Sequence, residues 1–397
     1  MSAPGPAPPS GSLDVFIVAG ESSGDVLGAG LMRALAKLHD GPVRFRGVGG
    51  PAMAAAGLAT LFPVHELMTI GIAPVIAKLP RIARRLFGTV EAVVADPPHV
   101  LVLVDVPDFS LRVARRVRRR LPGLPIVKYV SPAVWVWRPG RARAMRAFVD
   151  LVMAVLPFEP AVHRRLGGPP CIYVGHPMLA HLGELRPSPA EAAARAAAPL
   201  VLALPGSRRQ EIRRLGGIFG EALERAAAKH RHFEVVLPTL PHLADEIAAV
   251  TSQWSIRPRI VTDEAEKYAA FRRACAAIAA SGTVTLELAL AGVPHVAAYR
   301  ISLVEGLIAR MVLHGTTVIL ANLVLGENVV PEFLQTRCTA ANLGNALSDI
   351  IADTPVRRRQ QQAFQRLDAI LGVSDVAPSE RAARAVLDLL AKGRNAS

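Results

Sequence analysis

Short apolar runs rich in β-branched residues recur along most of the chain, and helical patterns separate most of them. A run that is apolar at nearly every position is typical of a parallel strand covered on both faces. The alternation of such strands with helices therefore predicts an α/β fold with parallel sheets. The runs lie at residues 15–18, 43–48, 100–104, 126–130, 151–155 and 171–174, and then at 200–204, 233–237, 259–261, 276–280 and 294–299.

The alternation is interrupted between residues 181 and 198, where prolines and an alanine-rich stretch replace it. Together with the length of 397 residues, this linker predicts two Rossmann-like domains whose parallel sheets face an interdomain cleft. Ligands of such folds bind at the carboxyl ends of the strands, so the loops there should carry the chemistry. The expected divisions are a disordered tail at 1–12, an N-terminal domain at 13–180, a C-terminal domain at 199–372, and a C-terminal helix at 373–397 that packs back on the N-terminal domain.

Composition narrows the class of protein. Apolar residues make up 51% of the chain and charged residues 20%, which is enough for large cores. The sequence has neither an apolar run of about 18 residues nor the features of a signal peptide at its start. The three widely spaced cysteines (Cys171, Cys275 and Cys338) suggest reduced thiols and give no metal or disulfide framework. We therefore expect no metal and no cofactor.

The formal net charge of +14 favours an anionic partner, such as a phosphorylated substrate, an acidic membrane surface or nucleic acid. Arginines cluster at residues 112–120 and 138–146, where solvated helix faces explain most of them. The chain lacks zinc-finger spacing, RNP-like aromatic motifs and heptad zippers. Nucleic acid is therefore not the expected partner.

One strand-end loop of the second half has the features of a diphosphate site. Residues 202–212 read as a strand, a tight Pro-Gly-Ser-Arg turn and a helix start. Ser207 and Gln210 have the spacing of a capping box, which is the alternative explanation. Gly206 and Arg208 at the same strand end favour the diphosphate site, because a helix N-terminus beside an arginine binds phosphate groups.

A second loop, at residues 279–287, has similar features. Gly282 allows close approach to the main chain, and Ser281 and Thr283 offer hydroxyls and amides. Glu287 lies one helical turn later, where its carboxylate can accept both hydroxyls of a ribose. The alternative is that Thr283 only caps the helix and Glu287 is solvated.

The first half contributes acidic strand-end residues. Asp105 ends an apolar strand and is a candidate general base facing the cleft, whereas Asp108 is expected to be a helix N-cap. The glycine-rich turn at 18–25 matches neither G-x-G-x-x-G nor a P-loop, and it contains Glu21. Asp25 in the same turn is expected to cap a helix. Two tryptophans, Trp135 and Trp137, follow another strand and serve either core packing or stacking on a sugar or acyl group.

These segments, in this order, resemble the lipid-A-disaccharide synthase family over about residues 14–340. The motifs that carry the resemblance lie at 18–25, 47–53, 106–109, 131–138, 156–159, 174–177, 204–208, 281–287, 298–300 and 330–334. Two positions depart from the family pattern, since Pro74 replaces a usual glutamate and Ala321 a common proline. Neither position is assigned to chemistry.

The resemblance implies a GT-B glycosyltransferase fold and an inverting transfer. The donor would be UDP-2,3-diacylglucosamine, the acceptor 2,3-diacylglucosamine 1-phosphate, and the products the β-1′,6-linked disaccharide 1-phosphate of lipid A and UDP. The chain has no Asp-x-Asp motif, so we expect Arg208 and the two helix starts, not a metal, to stabilise the departing UDP. Asp105 is the first choice for the base and Glu21 the second. Acceptor or acyl binding is assigned to Ser22, Ser23, Trp135, Trp137 and Asn322.

Acylated substrates imply contact with an anionic membrane surface, and we expect a peripheral enzyme on the cytoplasmic face of the inner membrane. Residues 80–95 are expected to form a helix with Pro80 in its first turn. The overlapping segment 70–87 mixes apolar and basic residues, which indicates either a membrane surface or a helix packed on the sheet. Its apolar members are Ile72, Val75, Ile76, Leu79, Ile82 and Leu86, and its basic members are Lys78, Arg81, Arg84 and Arg85.

The sequence leaves other classes open. Another UDP-sugar enzyme of the same fold, a 2-epimerase or a peptidoglycan glucosaminyltransferase, would share the strand-end loops. A basic nucleic-acid-binding protein is the rival from a different class. A homodimer is one assembly state that the sequence also leaves open.

Overall fold

The computed structural model describes residues 11–64, 72–197, 199–230, 233–300 and 317–394. The chain divides into two compact units. The N-terminal unit comprises Met1–Leu179 and Ser374–Ser397, and the C-terminal unit comprises Ala180–Val373. The expected tail, residues 1–12, lies outside the described residues except for its last two positions.

In the described residues, the N-terminal unit contains a seven-stranded parallel sheet. Its strands are β1 (Leu13–Ala19), β2 (Val43–Val48), β3 (Ala59–Thr60), β4 (Val100–Val104), β5 (Ile126–Tyr129), β6 (Leu151–Ala154) and β7 (Cys171–Tyr173). They lie in the order β3-β2-β1-β4-β5-β6-β7. The spatial order therefore reverses between β1 and β4, which are buried at every position.

Helices cover this sheet. They are α1 (Ser22–Leu38), α2 (Pro51–Ala55), α3 (Ile72–Ala95), α4 (Pro107–Arg120), α5 (Gly140–Met145), α6 (Glu159–Arg165) and, from the end of the chain, α17 (Pro378–Arg394). Helices α3 and α4 pack on Phe16, Leu101 and Leu103 of the central strands through residues such as Val93 and Val113. Burying each such valine contributes about 1.5–3 kcal/mol. Helix α17 packs against α1.

The C-terminal unit contains a six-stranded sheet, also parallel in the described residues. Its strands are β8 (Leu200–Leu204), β9 (Glu234–Pro238), β10 (Arg259–Val261), β11 (Ala276–Ala280), β12 (His295–Tyr299) and β13 (Glu332–Leu334). They lie in the order β10-β9-β8-β11-β12-β13. The order reverses between β8 and β11, so the two units share the Rossmann arrangement. The predicted fold class is confirmed.

Where the C-terminal unit is described, its helices are α7 (Leu182–Leu185), α8 (Pro189–Ala197), α9 (Arg209–Ala227), α10 (Ala244–Thr251), α11 (Glu264–Arg273), α12 (Val284–Leu290), α13 (Leu320–Leu325), α14 (Ala340–Ile351), α15 (Pro355–Gln365) and α16 (Leu367–Leu371). Helices α9 and α14 pack together over one face of the sheet. Their contact buries Phe219, Leu223 and Leu347 completely.

The segment expected as a loose linker contains helices α7 and α8. Arg195 of α8 holds this segment in place, because its guanidinium donates hydrogen bonds to carbonyl oxygens at the ends of two other helices. These acceptors belong to Phe271, Arg272, Ala291 and Gly292, at 2.8–3.2 Å. One half-buried side chain thereby caps the C-terminal ends of α11 and α12.

Helix α3 begins earlier than its sequence pattern suggested. It starts at Ile72, so Pro80 lies in the helix interior and the prediction of Pro80 in the first turn was wrong. Pro74 lies in the first turn instead, where a missing N–H costs no intrahelical hydrogen bond. Ile82 and Leu86 pack against the core, so for these two residues the structure favours the alternative of a helix packed on the sheet. The side chains of the other expected apolar members (Ile72, Val75, Ile76 and Leu79) and of Lys78 lie outside the described residues.

Two short edge strands, β3 and β13, carry no clear apolar run and were not predicted. Among the helices of the described residues, none has both the length and the apolar character needed to cross a membrane.

Candidate active site

The reversal of strand order in the C-terminal sheet opens into a pocket of about 690 Å³. Rossmann-like sheets bind ligands at such switch points because the loops after the two strands diverge there. All the residues assigned to UDP from the sequence line this pocket: Gly206, Ser207, Arg208, Ser281, Gly282, Thr283 and Glu287.

The loop after β8 is shaped by a contact between Gly206 and Glu211. Gly206 has a φ of 127°, and a Cβ at this position would lie 2.4 Å from Glu211 Oε2. Glu211 turns back from α9 and accepts the Ser207 N–H at 3.1 Å. The N-cap is Arg208, and its side chain makes no capping bond. The capping box of Ser207 and Gln210 was therefore wrong, because the helix begins one residue later than the box requires.

Arg208 is available to a ligand in the pocket. Its side chain is 62% exposed and lies 3.3 Å from Glu211 Oε1, an exposed pairing that holds the guanidinium only weakly. The next arginines of the helix, Arg209 and Arg213, bind Glu246 at 2.8 and 2.6 Å and line a different groove, beside α10. Of these three arginines, Arg208 is the one that lines the switch-point pocket.

The loop after β11 presents main-chain atoms to the pocket. The Ser281 N–H donates to the Ala298 carbonyl at 2.9 Å, which anchors the loop to β12. A Cβ on Gly282 would meet no atom within 4 Å, so the space above this residue is open. Thr283 stands at the N-cap of α12, but its side chain makes no capping bond. A simple capping role for Thr283, the alternative from the sequence, is therefore wrong.

Glu287 is not a solvated side chain. It is 12% exposed, and its Oε2 lies 2.8 Å from the Lys267 ammonium on α11. Lys267 also lies 5.2 Å and 5.5 Å from the ring centroids of Tyr268 and Phe271. Sequence reasoning missed Lys267, which lines the same pocket, because nothing in one sequence connects residues on two separate helices.

The N-terminal sheet has a second switch point, between β1 and β4, where the loops after the two strands touch. A Cβ on Gly20 would lie 2.7 Å from Val106 Cγ2, so the contact requires glycine. A Cβ on Gly24 would lie 3.8 Å from Asp105 Cβ. The structure therefore places Glu21 and Asp105 on adjoining loops of one sheet edge.

The first turn of α1 contributes exposed polar side chains. Glu21 is the N-cap residue, and Ser22 and Ser23 follow it, all three exposed. Asp25 is buried and does cap a helix, although the helix is α2 and not its own. Its carboxylate accepts the main-chain N–H groups of Gly50, Ala52 and Met53 at 2.7, 2.9 and 3.1 Å.

Asp105 lies in a strained turn. Asp105 and Val106 have φ values of 48° and 40°, which cost non-glycine residues on the order of 1–3 kcal/mol each and are common at functional sites. The Asp105 N–H donates to the Tyr129 carbonyl at 3.0 Å, and the Asp105 carbonyl accepts the Ser110 hydroxyl at 2.9 Å. The half-buried Asp105 side chain is thus presented by a turn held from two sides.

Asp108 has a different role from the one expected. Helix α4 begins at Pro107, so Asp108 lies inside the first turn and the N-cap prediction was wrong. Its carboxylate is 74% exposed and binds Arg141 at 2.8 Å. The helix starts early because Pro107 suits its first position.

A lysine that sequence reasoning missed lies against this turn. Lys128, in β5, is completely buried. Burial lowers its pKa to about 7, while the nearby Asp105 carboxylate acts in the opposite direction. A charged residue inside an otherwise apolar strand was the signal in the sequence.

The two tryptophans after β5 differ in their surroundings. Trp135 packs edge-on against Phe158, with ring centroids 5.4 Å apart, and its indole N–H donates to Glu159 at 3.4 Å. Burial raises the pKa of the Glu159 carboxyl to about 7. Trp137 is 38% exposed, with the Arg138 guanidinium 5.2 Å from its ring centroid. Packing therefore accounts for Trp135, whereas Trp137 offers a surface for stacking.

Asn322 is buried and engaged within the chain. Its Oδ1 accepts the main-chain N–H groups of Val329 and Val330 at 3.0 and 2.9 Å, and its Nδ2 donates to the Val330 carbonyl at 2.9 Å. These bonds hold the segment before β13. The structure therefore gives Asn322 a structural role instead of the expected direct contact with the acceptor.

Comparison with known proteins agrees with this architecture. A family model described as lipid-A-disaccharide synthetase matches residues 15–386. The chain is 54% identical to the lipid-A-disaccharide synthase of Nitrobacter hamburgensis over 381 residues, which is 96% of each chain. It is 53% identical to that of Bradyrhizobium diazoefficiens over 382 residues, 96% of this chain and 97% of the relative.

Solved structures show the same fold at low identity. A UDP-GlcNAc 2-epimerase from Neisseria meningitidis bound to UDP-GlcNAc gives a TM-score of 0.61 at 11% identity, covering 96% of this chain and 99% of the other. The calicheamicin glycosyltransferase CalG4 gives 0.57 at 17% identity, covering 96% and 98%. The fold is that of GT-B glycosyltransferases and epimerases. With the family match over nearly its whole length, the chain belongs to the lipid-A-disaccharide synthase family of hexosyltransferases.

Proposed function

We propose that this chain condenses UDP-2,3-diacylglucosamine with 2,3-diacylglucosamine 1-phosphate in an inverting transfer. The products are the β-1′,6-linked lipid A disaccharide 1-phosphate and UDP. Membership of the family supports the reaction. The site assignment rests on the switch-point pocket of the C-terminal unit. The loops after β8 and β11, which have sequence features of phosphate-binding loops, meet there.

In this proposal UDP binds in the pocket between the loops after β8 and β11. The open main chain at Gly282 and the amide of Thr283 face the diphosphate, while the Ser207 N–H stays bonded to Glu211. Glu287 accepts the ribose hydroxyls, and its ion pair with Lys267 fixes the direction of the carboxylate. The volume of about 690 Å³ suits a nucleotide, since small-molecule sites commonly occupy about 300–1,000 Å³.

Arg208 stabilises the leaving group. Negative charge grows on the diphosphate as the bond to the sugar breaks, so a cation aimed at it binds the transition state more tightly than the substrate. Arg208 can leave its 3.3 Å contact with Glu211 at little cost, because the pair is exposed. We assign no metal to the site, because the chain has no Asp-x-Asp motif.

The base comes from the N-terminal switch point. A sugar hydroxyl is a poor nucleophile until its proton is removed, and a positioned base contributes roughly 10²–10⁴-fold to the rate. Asp105 is our first assignment, since its turn is held by main-chain and side-chain bonds. Glu21, on the adjoining loop, is the alternative. The exposed Ser22, Ser23 and Trp137 are assigned to the acceptor.

The acylated substrates reside in a membrane, so we also propose peripheral binding to an anionic surface on the cytoplasmic face of the inner membrane. Exposed Arg81 and Arg84 on α3 and the 54% exposed ring of Phe87 support this surface. Basic side chains beside an exposed aromatic ring are typical of interfacial binding. A homodimer remains a proposal for the assembly.

The reaction is tested with purified protein, both acylated substrates in detergent, and mass spectrometry of the products. We expect the disaccharide 1-phosphate and one UDP for each bond formed. The same assay in EDTA should give the same rate, and a complete loss restored by Mg²⁺ would contradict metal independence.

Two further reactions separate the rival activities. Turnover of UDP-N-acetylglucosamine without any lipid acceptor would identify an epimerase. Transfer only to a polyprenyl-linked acceptor would identify a peptidoglycan glucosaminyltransferase. Either result without disaccharide formation would overturn the proposed function.

A further inference from the structure

Lys128 is a buried lysine whose hydrogen bonds all go to the main chain near Asp105. Its side chain has no exposed surface. The ammonium donates to the carbonyl oxygens of Asp105 at 2.6 Å, Leu103 at 3.3 Å and Tyr129 at 3.3 Å. An ammonium has three N–H donors, so these bonds use its full capacity.

These acceptors are the carboxyl ends of two neighbouring strands. Leu103 lies near the end of β4, Tyr129 ends β5, and Asp105 begins the turn that leaves β4. The shortest of the three bonds, to the Asp105 carbonyl, therefore fixes the peptide that follows the proposed base.

The turn needs such support because its backbone is strained. Asp105 and Val106 adopt positive φ values of 48° and 40°, and Val130, which follows β5, has a φ of 68°. Strained residues of this kind persist only where the surrounding structure holds them. Lys128 and the Ser110 hydroxyl donate to the same Asp105 carbonyl and hold the turn from two sides.

A buried ammonium is costly for stability. The pKa of Lys128 is lowered to about 7, chiefly by burial and in part by Arg141, and the Asp105 carboxylate opposes this shift. A buried methionine of similar length would avoid this cost. A lysine at this position is therefore better explained by what it positions than by a contribution to folding.

We propose that Lys128 is a positioning residue for the transfer reaction. By holding the turn after β4, it keeps the Asp105 carboxylate in the one orientation from which that carboxylate can take the acceptor proton. The inference rests on the proposed function and on Asp105 as the base. It assigns Lys128 no contact with either substrate.

The first test is Lys128→Met, which keeps the length of the side chain and removes its donors. The expected result is a kcat lowered by roughly 10–100-fold, since a misplacement of about 1 Å costs on that order. The affinity for UDP, measured by calorimetry, should stay unchanged because the nucleotide pocket is in the other unit. Thr89→Val is the control: it removes another buried donor, bonded to the Arg85 carbonyl, and should leave kcat unchanged.

A double-mutant cycle distinguishes positioning from general stability. If Lys128 acts through Asp105, Lys128→Met should cost little further activity in an Asp105→Asn background. Additive losses would overturn the inference, as would a Lys128→Met enzyme with normal kcat or an Asp105→Asn enzyme with normal kcat. A wild type that forms no disaccharide would instead overturn the proposed function.

Lys128→Gln serves if the methionine variant does not fold. Its amide keeps N–H donors without the charge, so its kcat should fall, with UDP affinity unchanged. A folded Lys128→Gln enzyme with the wild-type kcat would overturn the inference.

Discussion

The Lys267 ammonium lies 2.8 Å from Oε2 of Glu287, and both side chains line the switch-point pocket of the C-terminal unit. Burying a carboxylate that is only 12% exposed is costly unless it has a charged partner. In the proposed nucleotide site, the pair offers an acceptor for the ribose hydroxyls without adding net negative charge. On our proposal that UDP binds here, the ion pair explains how an acid can lie beside an anionic ligand.

Replacing the lysine should weaken nucleotide binding. In Lys267→Met the Glu287 carboxylate loses its cation, so we expect the Kd for UDP to rise roughly ten-fold or more. Calorimetry with UDP measures the change. Lys229→Met is the matched control, because Lys229 is a lysine of the same unit bonded to Asn345 at the surface. Equal UDP affinity in the two variants would show that Lys267 does not contribute to UDP binding.

Arg208 should affect turnover more than nucleotide binding. Arg208→Ala removes a charged donor whose contact strengthens as UDP departs, and loss of one such donor costs on the order of 10²-fold in kcat. Arg209→Ala is a close control, since this neighbouring arginine is similarly exposed and binds Glu246 instead. Steady-state kinetics of both variants decide the point. A near-normal kcat in Arg208→Ala would mean that this loop has a purely structural role.

Asp105→Asn should nearly abolish turnover while leaving the fold and UDP affinity intact, because it removes basicity and keeps the size of the side chain. The same change at Asp108 should have little effect, since that carboxylate is 74% exposed and bound to Arg141. Product formation under single-turnover conditions measures the chemical step. An active Asp105→Asn enzyme together with an inactive Glu21→Gln enzyme would move the base to the adjoining loop.

The sequence predicted the strands and the loops after them because both follow from local pattern. Near-continuous apolar runs mark buried parallel strands, and parallel strands bring their carboxyl ends to one edge. The runs at 43–48, 100–104, 200–204, 259–261 and 276–280 coincide with strands of the structure. The loops after β8 and β11 were therefore predictable as neighbours, and in the structure they line one pocket.

Contacts between distant elements were not predictable in this way. The bond between Lys267 and Glu287 joins two helices, and the bonds of Asn322 join a helix to a later turn. Helix starts were also misplaced, as at Pro80 and Asp108, because backbone conformation and tertiary packing decided them instead of local propensity. Lys128 was visible in the sequence, but its three main-chain partners depend on the register of β4 and β5.

The membrane proposal predicts a specific loss of vesicle binding. Changing Arg81, Arg84 and Arg85 together to serine should weaken binding to anionic phosphatidylglycerol vesicles, since each basic residue near such a surface contributes about 1 kcal/mol. Vesicle co-sedimentation at low and high salt measures it. The matched control changes three exposed arginines of the C-terminal unit, Arg358, Arg359 and Arg366. Equal binding by both triple variants would assign the α3 arginines to an ordinary solvated surface.

The last prediction concerns stability and pH. Burial lowers the pKa of Lys128 from 10.5 to about 7, so between these values the folded protein binds fewer protons than the unfolded chain. The free energy of unfolding therefore rises with pH in this range. As pH falls towards 7, burying Lys128 becomes more costly, because the side chain must be buried with its charge or lose a proton. Lys128→Met has no such group, so the wild-type Tm minus the variant Tm should increase between pH 7 and about pH 9. Scanning calorimetry at several pH values measures this difference, in which the titration of other groups largely cancels. A difference that stays constant with pH would mean that the buried lysine keeps its ordinary pKa, and the ammonium would then be fully charged at neutral pH.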